Sequence, residues 1–305
     1  MRWTAVVNPR AGRHRRTRVL ARLGDALAAR GVDIHVTRDA DEGRVAARCA
    51  FERGEGVLAC GGDGTVRVLA DLAAEVDGLL AVVPTGAGND FARALGLDHR
   101  RPLDALDLLD TGNETRVDLG CIRTRDGEGV RFTTVAHSGL DGEVNRWANT
   151  ISWASGTWLY ALAALRTMAV YRPTEMRITV DGNVWDGRPW LVAVANSHCY
   201  GGGMRIAPRA RLNDGQLDVI VVADVGRAEL VARFPTMIRG MHLGIPGVHP
   251  LAGTMVEVEG PAEQEIYASG ERIGRLPATI VACRGALRVL VPNGGPRVDA
   301  KATVS

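Results

Sequence analysis

The segment Gly61-Gly62-Asp63-Gly64-Thr65 follows an apolar run, Gly56–Cys60, and opens a stretch with helical spacing. Glycines let a backbone approach a phosphate closely, and amides at a helix N-terminus point at it. A carboxylate repels phosphate, so Asp63 makes chemical sense as a holder of Mg2+, or of water, that meets the phosphates. The alternative is a tight strand–helix turn with Asp63 as a cap. A second segment, Pro84-Thr85-Gly86-Ala87-Gly88-Asn89-Asp90-Phe91-Ala92-Arg93, repeats the arrangement after Leu79–Val83. A third, Asn8-Pro9-Arg10-Ala11-Gly12, follows Thr4–Val7. Asn8 and the amides of that loop could hold a nucleotide. Arg13, Arg15 and Arg16 beyond it read as a solvated helix face rather than a phosphate clamp.

Among 37 Lys plus Arg residues the only lysine is Lys301. That argues against a P-loop, a protein-kinase strand lysine and a Schiff-base lysine. Phosphate must then be handled by backbone amides, arginines and metal ions. A net charge of +2 implies no nucleic-acid partner. The cysteines, Cys49, Cys60, Cys121, Cys199 and Cys283, form no CxxC pair, which argues against a zinc site or a disulfide framework and fits a reducing cytosol. A hydrophobic content of 46% with 24% charged residues is globular rather than disordered. The most apolar stretch, Ile151–Val170, carries Ser152, Ser155, Arg166 and Thr167, which is too polar for a membrane span.

These three loops can meet only if the elements before and after them alternate. Strands are predicted at Thr4–Val7, Val32–Thr37, Gly56–Cys60 and Leu79–Val83. Helices are predicted at Arg15–Arg30, Asp41–Gly54, Thr65–Ala74, Asn89–Leu95 and Pro102–Asp110. This alternation implies a parallel sheet whose loops emerge together at the C-terminal strand ends, where ligands bind. From about Val117 short strands take over: Arg131–Ala136, Glu175–Val180, Trp190–Ala195, Leu217–Val222, Thr254–Val258, Glu265–Ala268, Thr279–Cys283 and Leu287–Val291. That pattern fits an antiparallel sandwich or barrel, interrupted by helices near Thr157–Ala169 and Ala228–Met241. The expected organisation is an α/β unit over 1–118, a β-sandwich over 119–295 and a loose tail over 296–305.

In this order, Asn8-Pro-x-x-Gly12, Gly61-Gly-Asp-Gly-Thr65 and Pro84-x-Gly-x-Gly-Asn-Asp-Phe-Ala-Arg93 resemble the diacylglycerol kinase catalytic domain family. That family includes bacterial soluble lipid kinases, sphingosine kinases and ceramide kinases. The likeness continues through Gly201-Gly-Gly-Met-Arg-Ile-Ala-Pro208, Asp214-Gly215-Gln216-Leu217-Asp218 and Gly270-Glu271, covering roughly residues 4–292. The resemblance implies an α/β fold: a Rossmann-like nucleotide domain, then a C-terminal antiparallel β-sandwich, with ATP in the cleft. The implied ATP-binding positions are Asn8, Pro9, Arg10, Ala11, Gly12, Thr37, Gly61, Gly62, Asp63, Gly64, Thr65, Gly86, Ala87, Gly88 and Asn89. Asp63, Asp90 and Asp118 match acidic positions that organise a catalytic Mg2+, partly through water. By itself Asp118 would pass as a surface turn residue. A second, structural Mg2+ site is implied at Arg211, Asp214 and Gln216, with only Asp214 contributing its side chain. The alternative for Asp214-Gly215 is a hairpin turn.

The family's general base is the glutamate of an Asp-Gly-Glu motif. The literal Asp141-Gly142-Glu143 has the neighbours of a different family segment, so the match falls on Glu271, in Ser269-Gly270-Glu271. Partial burial of that carboxylate would strengthen it as a base for an alcohol. Ser269 stands where the family has aspartate, and Ala87 where it commonly has a threonine contacting ATP. The implied activity is transfer of the γ-phosphate of ATP to the hydroxyl of a membrane lipid, diacylglycerol first, with a sphingoid base, ceramide or another lipid alcohol as alternatives. An NAD kinase-like enzyme shares Gly-Gly-Asp-Gly but not the Pro84–Arg93 loop. A noncatalytic lipid or nucleotide sensor has only Ser269 and Ala87 in its favour. Such an enzyme is expected in the cytoplasm, peripherally on the inner membrane face. Trp147 and Trp153 could meet lipid or pack in the core, the apolar loop Met241–Val248 is a candidate entrance, and Trp158 and Tyr160 read as core. An edge strand could pair across a homodimer.

Overall fold

The computed structural model describes residues 1–11, 16–140, 167, 170–223 and 225–295. Strands β1 (Trp3–Val7), β2 (Asp33–Val36), β3 (Gly56–Gly61) and β4 (Leu79–Pro84) pair in parallel in the order β2-β1-β3-β4. β1, β3 and β4 are buried from end to end, as continuous apolar runs covered on both faces require. β2 is the exposed edge. Helices α1 (Arg16–Ala28), α2 (Ala40–Glu52) and α3 (Asp63–Val76) make the crossovers. Leu23 and Leu27 of α1, Ala47 and Ala50 of α2, and Val66, Leu69 and Ala73 of α3 enter one core with the strands. Asp39 caps α2, its carboxylate accepting from the Glu42 amide at 2.9 Å. After the short α4 (Asp90–Ala94), the helix expected over Pro102–Asp110 is a 3-10 turn, Pro102–Asp107, running into α5 (Leu108–Thr111).

Beyond α5 come β5 (Asn113–Thr124), β6 (Gly127–Phe132), β7 (Val135–Gly139), β8 (Met176–Val180), β9 (Asn183–Gly187), β10 (Leu191–Ala195) and β11 (Leu217–Val222). Then follow α6 (Arg227–Arg239), β12 (Val248–Gly253), β13 (Met255–Glu259), β14 (Glu265–Ala268), β15 (Glu271–Arg275) and β16 (Ala278–Val291). β16 joins the two halves. Its end, Arg288 and Val289, pairs in parallel with β4, its start pairs antiparallel with β13, and β5 runs antiparallel along it. The parallel sheet therefore continues as β16-β13-β8-β9. A second, antiparallel sheet runs β12-β11-β10-β7-β14-β15.

Side chains alternate across this second sheet. Val192, Val194, Val219 and Val221 face a sandwich core with Ile178, Val256, Val258 and Ile280 of the first sheet. Leu191, Ala193, Ile220 and Val222 face the other way, onto Leu230 and Met237 of α6. The molecule is thus an α/β unit continuous with an antiparallel β-sandwich.

One strand was expected over Arg131–Ala136, but the chain leaves one sheet at Phe132 and enters the other at Val135. The carbonyls of the buried Thr133 and Thr134 are held there by Asn196, through its side chain at 3.0 Å and its backbone N–H at 2.8 Å. The strands expected at Thr279–Cys283 and Leu287–Val291 are one, β16, with a register shift between Cys283 and Leu287. The helix expected at Thr157–Ala169 falls almost wholly outside the described residues, as do Trp147, Trp153, Trp158, Tyr160 and Pro296–Ser305. Among the described residues no helix is long and apolar enough to cross a membrane.

Candidate active site

The loops after β1, β3 and β4 interlock. Asn8 donates its side-chain amide to Thr65 Oγ1 at 2.8 Å and accepts from the Arg10 N–H at 2.9 Å, which fastens the first loop to the start of α3. A Cβ at Gly61 would stand 2.5 Å from Thr65 Cβ, so only glycine fits under that helix turn. Gly62 and Gly86 approach backbone to backbone, leaving a Cβ at Gly86 no room. Asn89, at φ 56°, closes the third loop on itself. Its Oδ1 accepts from the Gly86 N–H at 2.9 Å and its Nδ2 donates to the Gly86 carbonyl at 2.8 Å. Asparagine tolerates this left-handed backbone better than most residues.

Between the loops lies a cavity of about 340 Å3. Of the expected nucleotide positions, Asn8, Arg10, Ala11, Thr37, Gly62, Gly64, Thr65, Gly86 and Ala87 line it. Pro9, Gly61, Asp63, Gly88 and Asn89 lie in the same loops without forming its wall, and Gly12 lies outside the described residues. Arg38 and Asp39 also line it. Nothing in their spacing marked them, because they enter through the turn after β2.

Asp63 does cap a helix, though not its own. Its Oδ1 accepts from the Asp90 N–H at 2.7 Å and the Phe91 N–H at 3.3 Å, at the start of α4. Asp90 Oδ2 accepts from the Gly202 N–H at 2.9 Å, and its Oδ1 is buried with no hydrogen-bond partner. Both carboxylates lie beside Gly88, where a Cβ would stand 2.6 Å from Asp63 Oδ2 and 3.4 Å from Asp90 Oδ2. Burial pushes Asp63 up. Burial, and then the charge of Asp63, push Asp90 up to about 6. Two carboxylates that converge beside Gly88, one of them with a buried oxygen lacking a hydrogen bond, fit a divalent cation. Mg2+ keeps most of its waters and takes one or two carboxylates, so this pair suffices in donor type and number.

Asp118 is placed differently. It is buried within β5 rather than at a surface turn. Its Oδ2 accepts from the Gly215 N–H at 2.6 Å and its Oδ1 from the Gly285 N–H at 2.7 Å. Among the described residues no group of three or more His, Cys, Asp or Glu side chains converges as a metal site. Asp118 holds the turn containing Arg211, Asp214 and Gln216, whose Leu212 carbonyl also accepts from the Asp118 N–H at 2.6 Å. In that turn Asp214 Oδ1 accepts from the Gln216 N–H at 3.0 Å. Burial and the charge of Asp214 push Asp218 up to about 6.

Glu271 reaches the cavity from the second half of the chain. It forms an ion pair through Oε2 with Arg67 of α3, and a Cβ at Gly64 would stand 3.1 Å from Oε1. Its side chain is 50% exposed, so the partial burial expected of this base is slight and the fixed element is the arginine. Ser269-Gly270 forms the two-residue turn between β14 and β15, both residues at positive φ (52° and 79°), with Ala268 paired to Glu271. This is the primed hairpin turn that Asp-Gly favours. Aspartate in the family motif is therefore the conformationally preferred residue of a turn that Ser269 also adopts.

Residues 2–122 match the diacylglycerol kinase catalytic domain, and residues 134–291 match the YegS C-terminal NAD kinase beta sandwich-like domain. The diacylglycerol kinase of Mycobacterium tuberculosis (strain ATCC 25618 / H37Rv) is 34% identical over 296 residues, 96% of either chain. That of Bacillus subtilis (strain 168) is 28% identical over 294 residues, 94% of this chain and 95% of its own. A crystal structure of a diacylglycerol kinase from Bacillus anthracis str. Sterne shares the fold at a TM-score of 0.69 and 21% identity, covering 96% of this chain and 98% of that one. With both halves matched in order and a relative at this identity across almost its full length, the chain belongs to the diacylglycerol kinase catalytic domain family.

Proposed function

We propose that the chain is a lipid kinase that transfers the γ-phosphate of ATP to the hydroxyl of a membrane lipid, with diacylglycerol as acceptor and phosphatidic acid as product. The observation that carries this reading is Glu271, a carboxylate from the far half of the chain, standing in the wall of a cavity built by three glycine-containing loops. Family relatives named diacylglycerol kinase favour diacylglycerol over a sphingoid base, ceramide or another lipid alcohol.

In this reading residues 1–118 supply the ATP side and residues 119–295 the lipid side. Phosphoryl transfer is chiefly positioning and charge stabilisation. Asn8 and Thr65 hold the first loop against α3, and the amides around Gly62 and Gly64 at the start of α3 face the phosphates. Mg2+ held by Asp63 and Asp90, largely through water, would neutralise charge building on the phosphate oxygens. Arg67 holds Glu271 Oε2, and Oε1 takes the proton from the lipid hydroxyl. The enzyme works in the cytoplasm, peripherally on the inner membrane face. There Ile238 and Met241, exposed at the end of α6 and the start of the Met241–Val248 loop, offer apolar contact. The exposed edge strand β2 offers a pairing surface for a homodimer.

The test is transfer of label from γ-labelled ATP to a panel of diacylglycerol, sphingosine, ceramide, a polyprenol and NAD. Label entering the organic phase with diacylglycerol supports the reading. Preference for another lipid changes the acceptor, label on NAD replaces the reading, and ATP binding without transfer favours a sensor.

A further inference from the structure

A second cavity, about 360 Å3, shares no lining residue with the first. Its wall carries Arg93, Arg100 and Arg205 together with His99 and His198, against a single carboxylate, Asp98. Asp98 is partly engaged already, its Oδ1 accepting from the Arg100 N–H at 2.9 Å. The cationic field is felt by the wall itself: burial, then the charges of Arg93 and Arg100, push His99 down. Gly203, at φ 107°, lies against the Arg93 guanidinium, where a Cβ would stand 3.5 Å from Cζ. Guanidinium groups present planar forks of donors that match a tetrahedral oxyanion.

We propose that this cavity binds a phosphate dianion or phosphomonoester. The inference stands on the charge and shape of the cavity and does not depend on the kinase reading. Three lining residues also frame the acidic loop. Arg93 Nε donates to the Gly88 carbonyl at 3.2 Å and stands 4.0 Å from Asp90 Oδ1. Gly203 follows Gly202, whose N–H meets Asp90, and the Cys199 thiol lies 3.8 Å from the Asp90 carbonyl. A bound phosphate is thus held by residues adjoining Asp90, yet outside the cavity that contains Glu271. Two sources carry this chemistry: free inorganic phosphate, and the headgroup of a phosphomonoester lipid in a membrane.

The experiment compares the wild-type chain with R100Q/R205Q, neither residue being part of the proposed transfer machinery. Inorganic phosphate is titrated calorimetrically with the first cavity saturated by ADP. Sedimentation is measured with phosphatidylcholine vesicles containing either phosphatidic acid or phosphatidylglycerol, a diester control. Phosphate binding that weakens about tenfold or more in the variant supports the site with a free-phosphate source, tenfold being the weight of one charge-assisted hydrogen bond. A preference for phosphatidic acid over phosphatidylglycerol, present in the wild type and lost in the variant, supports it with a lipid source. Phosphate binding that is absent or unchanged, together with equal sedimentation on both anionic vesicles, overturns it. The single variant R100Q, at an exposed side chain, gives the same comparison if the double variant does not fold.

Discussion

Arg67 of α3 and Glu271 of β15, separated by 204 positions in the chain, form an ion pair that holds Glu271 in the wall of the first cavity. The arginine side chain is 13% exposed and its Nε is buried without a partner, so its reach toward Glu271 is fixed by packing. One carboxylate oxygen is occupied and the other faces the amide-bearing turn at Gly64. In the proposed transfer, this contact leaves Oε1 as the oxygen that meets the acceptor.

Glu271→Gln removes the proposed base and keeps the shape. Turnover is expected to fall about 100-fold or more, within the range for positioned general bases, with ATP affinity unchanged. Arg67→Met frees the carboxylate to rotate and should cost about tenfold in kcat, a positioning loss. Steady-state kinetics beside a direct nucleotide titration checks both. Near-normal turnover in the glutamine variant would remove Glu271 from the chemistry.

Asp63→Asn keeps an oxygen for the Asp90 and Phe91 amides and deletes one of two facing charges. Without metal the variant should melt no lower than the wild type, since the repulsion on Asp90 is relieved. Binding of a Mg2+-ATP analogue should weaken about tenfold or more, because one ligand of the charged pair is gone. Thermal melts with and without Mg2+, followed by calorimetric titration, separate the two effects. Unaltered binding would mean that the cation sits elsewhere.

Ser269 pays for a left-handed backbone and leaves its buried Oγ without a partner. Ser269→Asn supplies a residue that accepts this conformation and should stabilise the hairpin by about 1 kcal/mol, raising Tm by about 2 °C. A melt that moves downward would show that something other than turn preference sets this position.

Glu55 accepts from Arg53 and from Thr4 Oγ1 at 2.7 Å, and these hydrogen bonds hold its carboxyl at about 2, below the ordinary 4.5. A carboxyl depressed by folding contributes stability in full above its unfolded value. That contribution is lost as pH falls through about 2. Glu55→Gln should therefore be less stable than the wild type at pH 7, with the gap narrowing between pH 4.5 and pH 2. Urea midpoints at these pH values read the gap directly, and a gap independent of pH would sink the assignment.

The parallel strands were legible because strands buried on both faces are unbroken apolar runs, as in Val57–Cys60 and Leu79–Val83. The edge strands β9, β12 and β15 were not, since Asn183–Gly187, Val248–Gly253 and Glu271–Arg275 mix polar and small residues and are largely exposed. The loops announced themselves through glycines that the observed contacts make obligatory, as at Gly61 and Gly86. Arg67 gave no signal, because its partner is remote in the chain. The setting of Asp118 was hidden for another reason: its partners are backbone amides, which leave no residue-type signature.

That setting gives Asp118 a stability role that can be read apart from catalysis. Its side chain is buried, and both oxygens hold amides, one from the turn at Gly215 and one from Gly285 beside the register shift of β16. Asp118→Ala strands both N–H groups, and hydrogen bonds to a charged acceptor are worth about 1.5–3 kcal/mol each, so the loss should reach about 3 kcal/mol. Asp118→Asn retains one acceptor oxygen and should cost roughly half as much. The decisive readout is the order of the two variants in denaturant midpoint against their order in turnover. If stability drops in the sequence wild type, asparagine, alanine while kcat of the folded fraction stays within a few-fold, Asp118 serves the joint between the halves. If both variants melt like the wild type and lose turnover together, the carboxylate belongs with Asp63 and Asp90 in handling the cation.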